Sequence, residues 1–153
     1  RDDTVQYYWG LSNYRMSDYV TAEANFTKFI EHFPRNVFAA DARFYRIDCL
    51  YRATLRYELD QTPTYKAMTA ISEYMLEFPD SPHFSTADGM LKELGERLDR
   101  KAFENARLYY RMEDYKAAQV ALRNVLKDDS VNYPKRFVLS GKGGDTTDTD
   151  LAD

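Results

Sequence analysis

The sequence predicts an all-α protein, a solenoid of about three helical hairpins with extended helices. Three observations support this fold class. The chain is 15% aromatic, with 13 Tyr and 9 Phe, but has only 6 Gly and 5 Pro in 153 residues. Its apolar side chains recur at steps of three and four, the spacing of one helix face. A similar stretch occurs three times, which is typical of stacked repeats.

The second helix of each predicted hairpin carries one stripe of apolar side chains around a single alanine. The three sets are Tyr19, Ala22, Phe26 and Phe29, then Ala67, Ile71 and Tyr74, then Tyr115, Ala118, Leu122 and Val125. The alanine lets a neighbouring helix approach closely, while the rings fill the space on either side. Phe33-Pro34 and Phe78-Pro79 then end the first two of these helices, because proline cannot continue a helix.

The first helices of the three hairpins are predicted at residues 5–16, 39–59 and 86–112. Turn and capping residues follow them at Ser17-Asp18, at residues 60–64 and at Glu113-Asp114. We therefore expect one repeat domain over residues 1–130, with hairpins at about 4–34, 39–79 and 86–130. Residues 131–153, which are rich in Gly, Lys, Asp and Thr from Gly141 onward, are expected to form an irregular, flexible tail.

The spacing of the repeats indicates their class. Ala22 and Ala67 are 45 residues apart, and Ala67 and Ala118 are 51 apart, whereas a regular tetratricopeptide unit takes about 34. We expect the extra residues to lengthen the first helices of the second and third hairpins. The tetratricopeptide phase is kept by Gly10, Tyr14, Ala22, Phe26 and Pro34 in the first unit, and by Ala106, Tyr109, Tyr115, Ala118 and Leu122 in the third.

Composition excludes several classes of protein. The net charge of −4 argues against a strongly basic nucleic-acid binder. A hydrophobic content of 44% is enough for a sizeable core and excludes a wholly disordered chain. The longest apolar run, residues 37–40, is far shorter than the roughly 20 residues of a membrane-spanning helix. Cys49, the single cysteine, fits a buried small hydrophobic residue.

No motif for catalysis, a metal or a cofactor is found. His32 and His83 lie beside helix-ending prolines without a second ligand at metal-binding spacing. Gly141-Lys142 lacks the other residues of a phosphate-binding loop, and no G-x-S-x-G turn exists. The acidic and basic residues between 92 and 111 favour a solvated, charge-paired helix face. The alternative is that its basic side binds an acidic partner.

A stack of hairpins curves, so its first helices line a concave groove that can hold another protein. The tetratricopeptide groove positions correspond to Tyr7, Leu11, Tyr14 and Arg15, then Arg46, Leu50 and Ala53, then Phe103, Arg107, Tyr110 and Arg111. Tyr and Arg are good anchors for a protein partner. The alternative, which we favour for any single tyrosine, is packing between repeats; it is less favoured for Arg15, Arg107 and Arg111 because charged heads are rarely buried without partners.

The segments at residues 26–34, 73–81 and 78–118 resemble the lipoprotein D component of the outer-membrane barrel-assembly machinery. The resemblance covers about residues 5–128. It implies a non-enzymatic scaffold without cofactors, at the periplasmic face of the outer membrane of a Gram-negative bacterium. The implied partners are the periplasmic domains of the barrel-forming subunit and, in addition, unfolded outer-membrane proteins.

Members of that family have about five repeats and a lipidated N-terminal cysteine. This chain begins without that cysteine and shows three repeats, so we expect a fragment of a longer protein whose membrane contact is a lipid anchor. Long helix pairs of this kind also occur in other periplasmic tetratricopeptide proteins, such as the Tol-associated cell-division coordinator. The alternative function is therefore an adaptor that organises an envelope or cell-division complex.

Overall fold

The computed structural model describes residues 1–56 and 60–131, and these form helices joined by short connections. The helices are α1 (Asp2–Arg15), α2 (Tyr19–His32), α3 (Ala39–Ala53), a short 3₁₀ helix (Thr54–Arg56), α4 (Thr62–Glu77), α5 (Phe84–Arg111) and α6 (Tyr115–Val131). The described residues contain no strand. The predicted all-α, tetratricopeptide-like helical-hairpin fold is confirmed.

The chain divides into two compact units. The first unit, Arg1–Leu91, holds α1 to α4 and the start of α5. The second unit begins at Lys92 and holds the rest of α5 and α6. The boundary therefore falls inside a single 28-residue helix, α5. We expected lengthened first helices in the second and third hairpins; α5 is long, but α3, with 15 residues, is hardly longer than α1, with 14.

Phenylalanine-proline pairs end two helices, as the sequence predicts. α2 stops at His32, and the amide of Phe33 donates to the carbonyl of Phe29 at 2.8 Å. α4 stops at Glu77, and the amide of Phe78 donates to the carbonyl of Tyr74, also at 2.8 Å. Both phenylalanines leave the helical region of backbone space, because the residue before a proline is excluded from it.

One predicted boundary is wrong. We expected the first helix of the second hairpin to run to residue 59, but α3 ends at Ala53 and a 3₁₀ helix follows. The amide of Thr54 donates to the carbonyls of Arg52 and Tyr51, and its hydroxyl donates to the carbonyl of Tyr51 at 2.6 Å, so Thr54 ends α3. Residues 57–59 of the predicted helix, and 132–153 of the predicted tail, lie outside the described residues.

The core of the first unit forms where α2 packs against both α1 and α3. Ala22, Phe26 and Phe29 are fully buried there. A Cβ atom added at Gly10 would lie 3.0 Å from the ring of Phe26, so the close crossing of α1 and α2 favours glycine, and a larger residue there would have to displace the ring. Ala67 is buried as well, and so is Ala118 in the second unit. The small residues that the repeat pattern singled out are thus all inside.

Candidate protein-binding surfaces

The same turn joins α1 to α2 and α5 to α6. In the first turn the amides of Met16, Ser17 and Asp18 donate to the carbonyls of Ser12, Tyr14 and Asn13. The second turn repeats this pattern, with donors Met112, Glu113 and Asp114 and acceptors Leu108, Tyr110 and Tyr109. Ser17 and Glu113 have positive φ angles of 63° and 61°. Local sequence therefore builds two hairpins with one geometry.

Both turns also begin the next helix with an aspartate cap. Oδ1 of Asp18 accepts from the amide of Thr21 at 3.3 Å, and Oδ1 of Asp114 accepts from the amide of Ala117 at 3.2 Å. The two hairpins can therefore be aligned residue by residue. Tyr7, Tyr14, Arg15 and Phe26 correspond to Phe103, Tyr110, Arg111 and Leu122.

In the first hairpin, the structure places the predicted groove residue Tyr7 in the core. Its side chain is only 5% exposed and its ring stacks on Phe38 with centroids 4.4 Å apart. Burial raises the pKa of Tyr7 to about 12, because the phenolate would be poorly solvated there. Leu11 packs against the same cluster. Tyr7 and Leu11 therefore pack in the core of the first unit and do not line a groove for a partner.

Tyr14, another predicted groove residue, belongs to a polar network. Its hydroxyl donates to the carboxylate of Asp48, and Nε of Arg52 donates to the same oxygen at 2.9 Å. The Arg52 guanidinium also lies over the rings of Tyr14 and Tyr19, at 5.6 and 5.8 Å. The pKa of Tyr14 is raised, mainly because its side chain is buried and also because its hydroxyl donates to Asp48. Asp48 is buried, so these two donors offset the cost of burying its charge.

The predicted groove residues of α3 are also engaged within the first unit. Nε of Arg46 donates to the hydroxyl of Thr27 at 3.1 Å and lies 3.4 Å from the carboxylate of Glu23. Leu50 is buried and Ala53 is partly buried. Arg15, in contrast, is exposed. Of the groove residues predicted in the first two hairpins, Arg15 is therefore the most accessible.

The four predicted residues of α5 all lie at the surface. Phe103 is 46% and Tyr110 is 63% exposed, and Arg107 and Arg111 are exposed as well. Arg107 pairs with Glu104 at 3.2 Å and lies over the Phe103 ring at 6.0 Å. The ring of Tyr110 meets Tyr115 edge to face at 5.4 Å. This set is an accessible group of rings and guanidinium groups, the side chains most common at energetic centres of interfaces.

Sequence reasoning missed two exposed apolar surfaces. On α6, Leu122 and Leu126 remain open to solvent although they continue the stripe assigned to the core. On α1, a second apolar row is exposed opposite the buried one: Val5, Tyr8 and Trp9, continued by Met16 just after the helix ends. The surface on α1 could have been predicted from the sequence. α1 is apolar on both faces, and only one face can pack on α2, so the other must be exposed to solvent or to another partner.

His83 and Cys49, which the sequence analysis considered, have packing roles, and so does Arg43. His83 stacks on Phe44 with centroids 4.0 Å apart. Cys49 is fully buried, and burial raises its pKa to about 12, so the thiol stays protonated and is a poor nucleophile. Arg43 donates to the carbonyl of Pro34 at 3.0 Å and lies over Phe78 at 5.3 Å, beside a surface cavity of about 390 Å³.

Comparison with protein-family models places these surfaces in context. The YfiO model, described as an outer membrane lipoprotein, matches residues 1–138. The search of curated proteins found no match. Within the described part of the chain, no helix is both long and apolar enough to span a membrane. Since the family match covers most of the sequence, the chain belongs to the YfiO family of outer membrane lipoproteins.

Proposed function

We propose that this chain is a non-enzymatic protein-binding scaffold that acts in the assembly and insertion of outer-membrane β-barrel proteins. The observation that carries the proposal is the exposed group on α5, Phe103, Arg107, Tyr110 and Arg111, in a member of an outer membrane lipoprotein family. Helical-hairpin repeats commonly bind other proteins through exposed helix faces. The scaffold role follows from combining this surface with the family.

The proposed partners are the periplasmic domains of the barrel-forming subunit and, in addition, unfolded outer-membrane proteins. The proposed location is the periplasmic face of the outer membrane, with the full-length protein held there by a lipid anchor. The guanidinium groups of Arg107 and Arg111 suit carboxylates on such a partner, because arginine binds a carboxylate with two parallel hydrogen bonds. The neighbouring rings of Phe103 and Tyr110 supply apolar contact area.

A charge-reversal experiment tests this proposal. The double variant Arg107→Glu, Arg111→Glu should reduce capture of the barrel-forming subunit in a pulldown by about tenfold or more, because it opposes the proposed carboxylates with like charge. The matched control is Lys28→Glu, Lys66→Glu, which makes the same change in net charge at two exposed residues of the first unit, on α2 and α4. Equal capture by the two variants would remove this surface from the proposal.

A second candidate function is an adaptor that organises an envelope or cell-division complex through self-association. The exposed apolar row of Val5, Tyr8 and Trp9 on α1, with Met16 just after it, favours it, because exposed apolar patches often mark protein–protein contact sites. Light scattering separates the two functions. Stable oligomers that are lost in Trp9→Ser, without any capture of the barrel-forming subunit, would support the adaptor.

A further inference from the structure

The turn that leads from one hairpin to the next occurs twice in the first unit, between α2 and α3 and between α4 and α5. The amide of Asn36 donates to the carbonyl of Phe33 at 3.1 Å, and the amide of Ser81 donates to that of Phe78 at 3.2 Å. In both turns the amide three residues later donates back to the carbonyl of Asn36 or Ser81. The side-chain oxygens of Asn36 and Ser81 each accept from the amide two residues further on. The two turns therefore correspond position by position.

The helices that pack against these turns can be aligned in the same way. In each turn one ring stacks on the first helix of the preceding hairpin. Phe38 stacks on Tyr7 of α1 with centroids 4.4 Å apart, and His83 stacks on Phe44 of α3 with centroids 4.0 Å apart. Tyr7 and Phe44 therefore occupy corresponding positions.

One contact of the first turn is missing from the second. The side-chain amide of Asn36 donates to the carboxylate of Asp3 at 2.5 Å, which joins the first turn to α1. The corresponding residues of the second turn and α3 are Ser81 and Ala40, and an alanine side chain can accept no hydrogen bond. Both line a cavity of about 390 Å³. The cavity lies between consecutive hairpins of the first unit, with described helices on both sides of the turn.

This cavity, which we call the turn cavity, has apolar walls and an acidic rim. Its walls are rings and small side chains: Ala40, Tyr74, Phe78, Pro79, Pro82 and His83. Its rim carries the exposed side chains of Asp41, Glu77 and Asp80. None of these three forms a salt bridge with another described residue. Arg43 also lines the cavity, but it donates to the carbonyl of Pro34. The charge of the rim therefore favours a cationic ligand.

A second cavity, of about 290 Å³, extends this acidic surface. It shares Glu77 and Phe78 with the turn cavity and adds the exposed side chains of Glu31 and Glu73. The two arginines in its wall already donate hydrogen bonds within the protein. A chain segment that leaves the turn cavity in this direction therefore meets further carboxylates.

The first unit already contains an example of how a guanidinium is held. Arg52 lies over the rings of Tyr14 and Tyr19, at 5.6 and 5.8 Å, and its Nε donates to Asp48 at 2.9 Å. Aromatic faces and a carboxylate thus bind one planar cation together. The turn cavity offers the same two kinds of group, and they are open to solvent. Arginine suits it better than lysine, because only the planar guanidinium both stacks on rings and pairs with a carboxylate through two hydrogen bonds.

We propose that the turn cavity binds an arginine side chain of a partner protein, which presents it on a basic segment. The guanidinium packs against the ring of Phe78 and pairs with the carboxylates of Asp41, Glu77 or Asp80. The inference rests on the proposed function as a protein-binding scaffold and adds the chemistry of one partner contact, separate from the exposed group on α5.

The test is a nuclear magnetic resonance titration of the isotope-labelled full chain with two blocked peptides. One is Ser-Gly-Arg-Gly-Ser, and the other has citrulline, the neutral isostere of arginine, at its centre. We expect the amide chemical shifts of Ser81 and His83 to change saturably with the arginine peptide. Affinity for the citrulline peptide should be at least about fivefold lower, because the charge-assisted hydrogen bonds are lost. Equal affinities, or no saturable change with the arginine peptide, overturns the inference.

Matched charge variants locate the site. The double variant Glu77→Gln, Asp80→Asn should weaken binding of the arginine peptide about fivefold or more, because it removes two of the three rim charges. The control Asp2→Asn, Glu96→Gln makes the same change in net charge at exposed residues outside both cavities. It should leave the affinity within about twofold. Equal effects of the two variants would contradict the proposal.

A third variant separates the shape of the cavity from its charge. Ala40→Asp, Ser81→Asn gives the second turn the pair of side chains that joins the first turn to α1. Binding should weaken about fivefold or more, because the new side chains fill the cavity, although the change adds a negative charge. Unchanged or stronger binding would show that net charge alone attracts the peptide and would overturn the inference. Circular dichroism checks the fold, and the charge variants decide the matter if this variant does not fold.

Other occupants of the turn cavity give different outcomes, and each overturns the proposal. Shifts of Ser81 and His83 that depend on protein concentration, without a response to peptide, would indicate a second copy of the chain. Changes of the same shifts in Lys135→Gln, Arg136→Gln, again without a response to peptide, would indicate the chain's own basic residues. Tighter binding of a peptide with glutamate in place of arginine would indicate an acidic partner. If the barrel-forming subunit is still captured through the exposed group on α5, the proposed function stands and only this inference fails.

Discussion

The α1–α2 and α5–α6 hairpins have the same turn but different surroundings. Their turn hydrogen bonds match one for one, and both turns contain a residue with positive φ followed by an aspartate cap. Yet Phe26 is fully buried in the first hairpin and Leu122 is 40% exposed in the second. The comparison teaches that local sequence determines the geometry of a hairpin, whereas a further helix decides which of its faces is core.

Where the two helices of each hairpin cross, a small residue on the first helix is paired with a larger one on the second, and the sizes of the two residues are matched. Gly10 leaves room for the ring of Phe26, which a Cβ atom would approach to 3.0 Å. In the α5–α6 hairpin the corresponding pair is Ala106 and Leu122, a larger residue on the first helix and a smaller one on the second. Volume is thus exchanged across the helix pair, as close packing requires.

The largest expected effect is a difference between the two hairpins in the stability that is lost when the central side chain, Phe26 or Leu122, is truncated. Phe26→Ala should lower the free energy of unfolding of the first unit by about 3–5 kcal/mol, because it leaves a cavity in a closed core. Leu122→Ala should cost less than about 1.5 kcal/mol, because its side chain is already partly in water. Urea denaturation measures both, with fluorescence of Trp9, the single tryptophan, reporting on the first unit. Similar losses would mean that Leu122 is also covered in solution.

Alkaline pH should affect the first hairpin through its buried tyrosines. The folded-state pKa of Tyr7 is raised to about 12 from the ordinary tyrosine value of 10.0, so the folded state resists ionisation. The stability of the first unit should therefore be complete below pH 10 and fall as the pH rises from 10 towards 12. The loss due to Tyr7 is about 1 kcal/mol at pH 11.

The variant Tyr7→Phe tests this effect, because it gives the first hairpin the ring that Phe103 supplies in the second. We expect Tyr7→Phe to lose about 1 kcal/mol less between pH 9 and pH 11 than the parent does. Tyr14, whose pKa is also raised, remains in both proteins and accounts for residual loss. The same pH dependence in variant and parent would show that Tyr7 ionises without opposition in the folded state.

The smallest expected effect is a change in stability at the two turns, which have the same backbone conformation. Ser17→Gly and Glu113→Gly should each stabilise the chain, or leave it unchanged, within about 0.5–1 kcal/mol. The reason is that φ angles of 63° and 61° suit glycine, while the added freedom of the unfolded chain opposes the gain. Thermal unfolding monitored by circular dichroism measures the change. Ser17→Val, which cannot adopt this conformation easily, should destabilise and serves as the control.

Much of the fold was predictable because its signals are local. Phe33-Pro34 and Phe78-Pro79 end helices wherever they occur, and the helices do end before them. The small residues Gly10, Ala22 and Ala118 are buried as their repeat positions predict. The end of α3 was harder to predict, since apolar periodicity continues past Ala53 while the backbone tightens into a 3₁₀ helix.

The candidate site was only partly predictable from the sequence. α1 is apolar on both faces, so periodicity alone cannot say whether the row with Tyr7 or the row with Trp9 is buried. The repeat phase placed Tyr7 and Tyr14 in a groove, but Phe38, the N-cap residue of α3, covers Tyr7 and Asp48 of α3 binds Tyr14. On α5 the same phase identified Phe103 and its neighbours, which the structure leaves exposed and which carry the proposed function.

The sequence by itself determined the helices, their caps and turns, and the small residues at their crossings, because these depend on side chains within about one helical turn of each other. Only the tertiary structure decided which aromatic residues are core and which are surface. That choice depends on contacts such as the one between Tyr14 and Asp48, 34 residues apart. The same local motif is therefore packed in the first unit and exposed in the second.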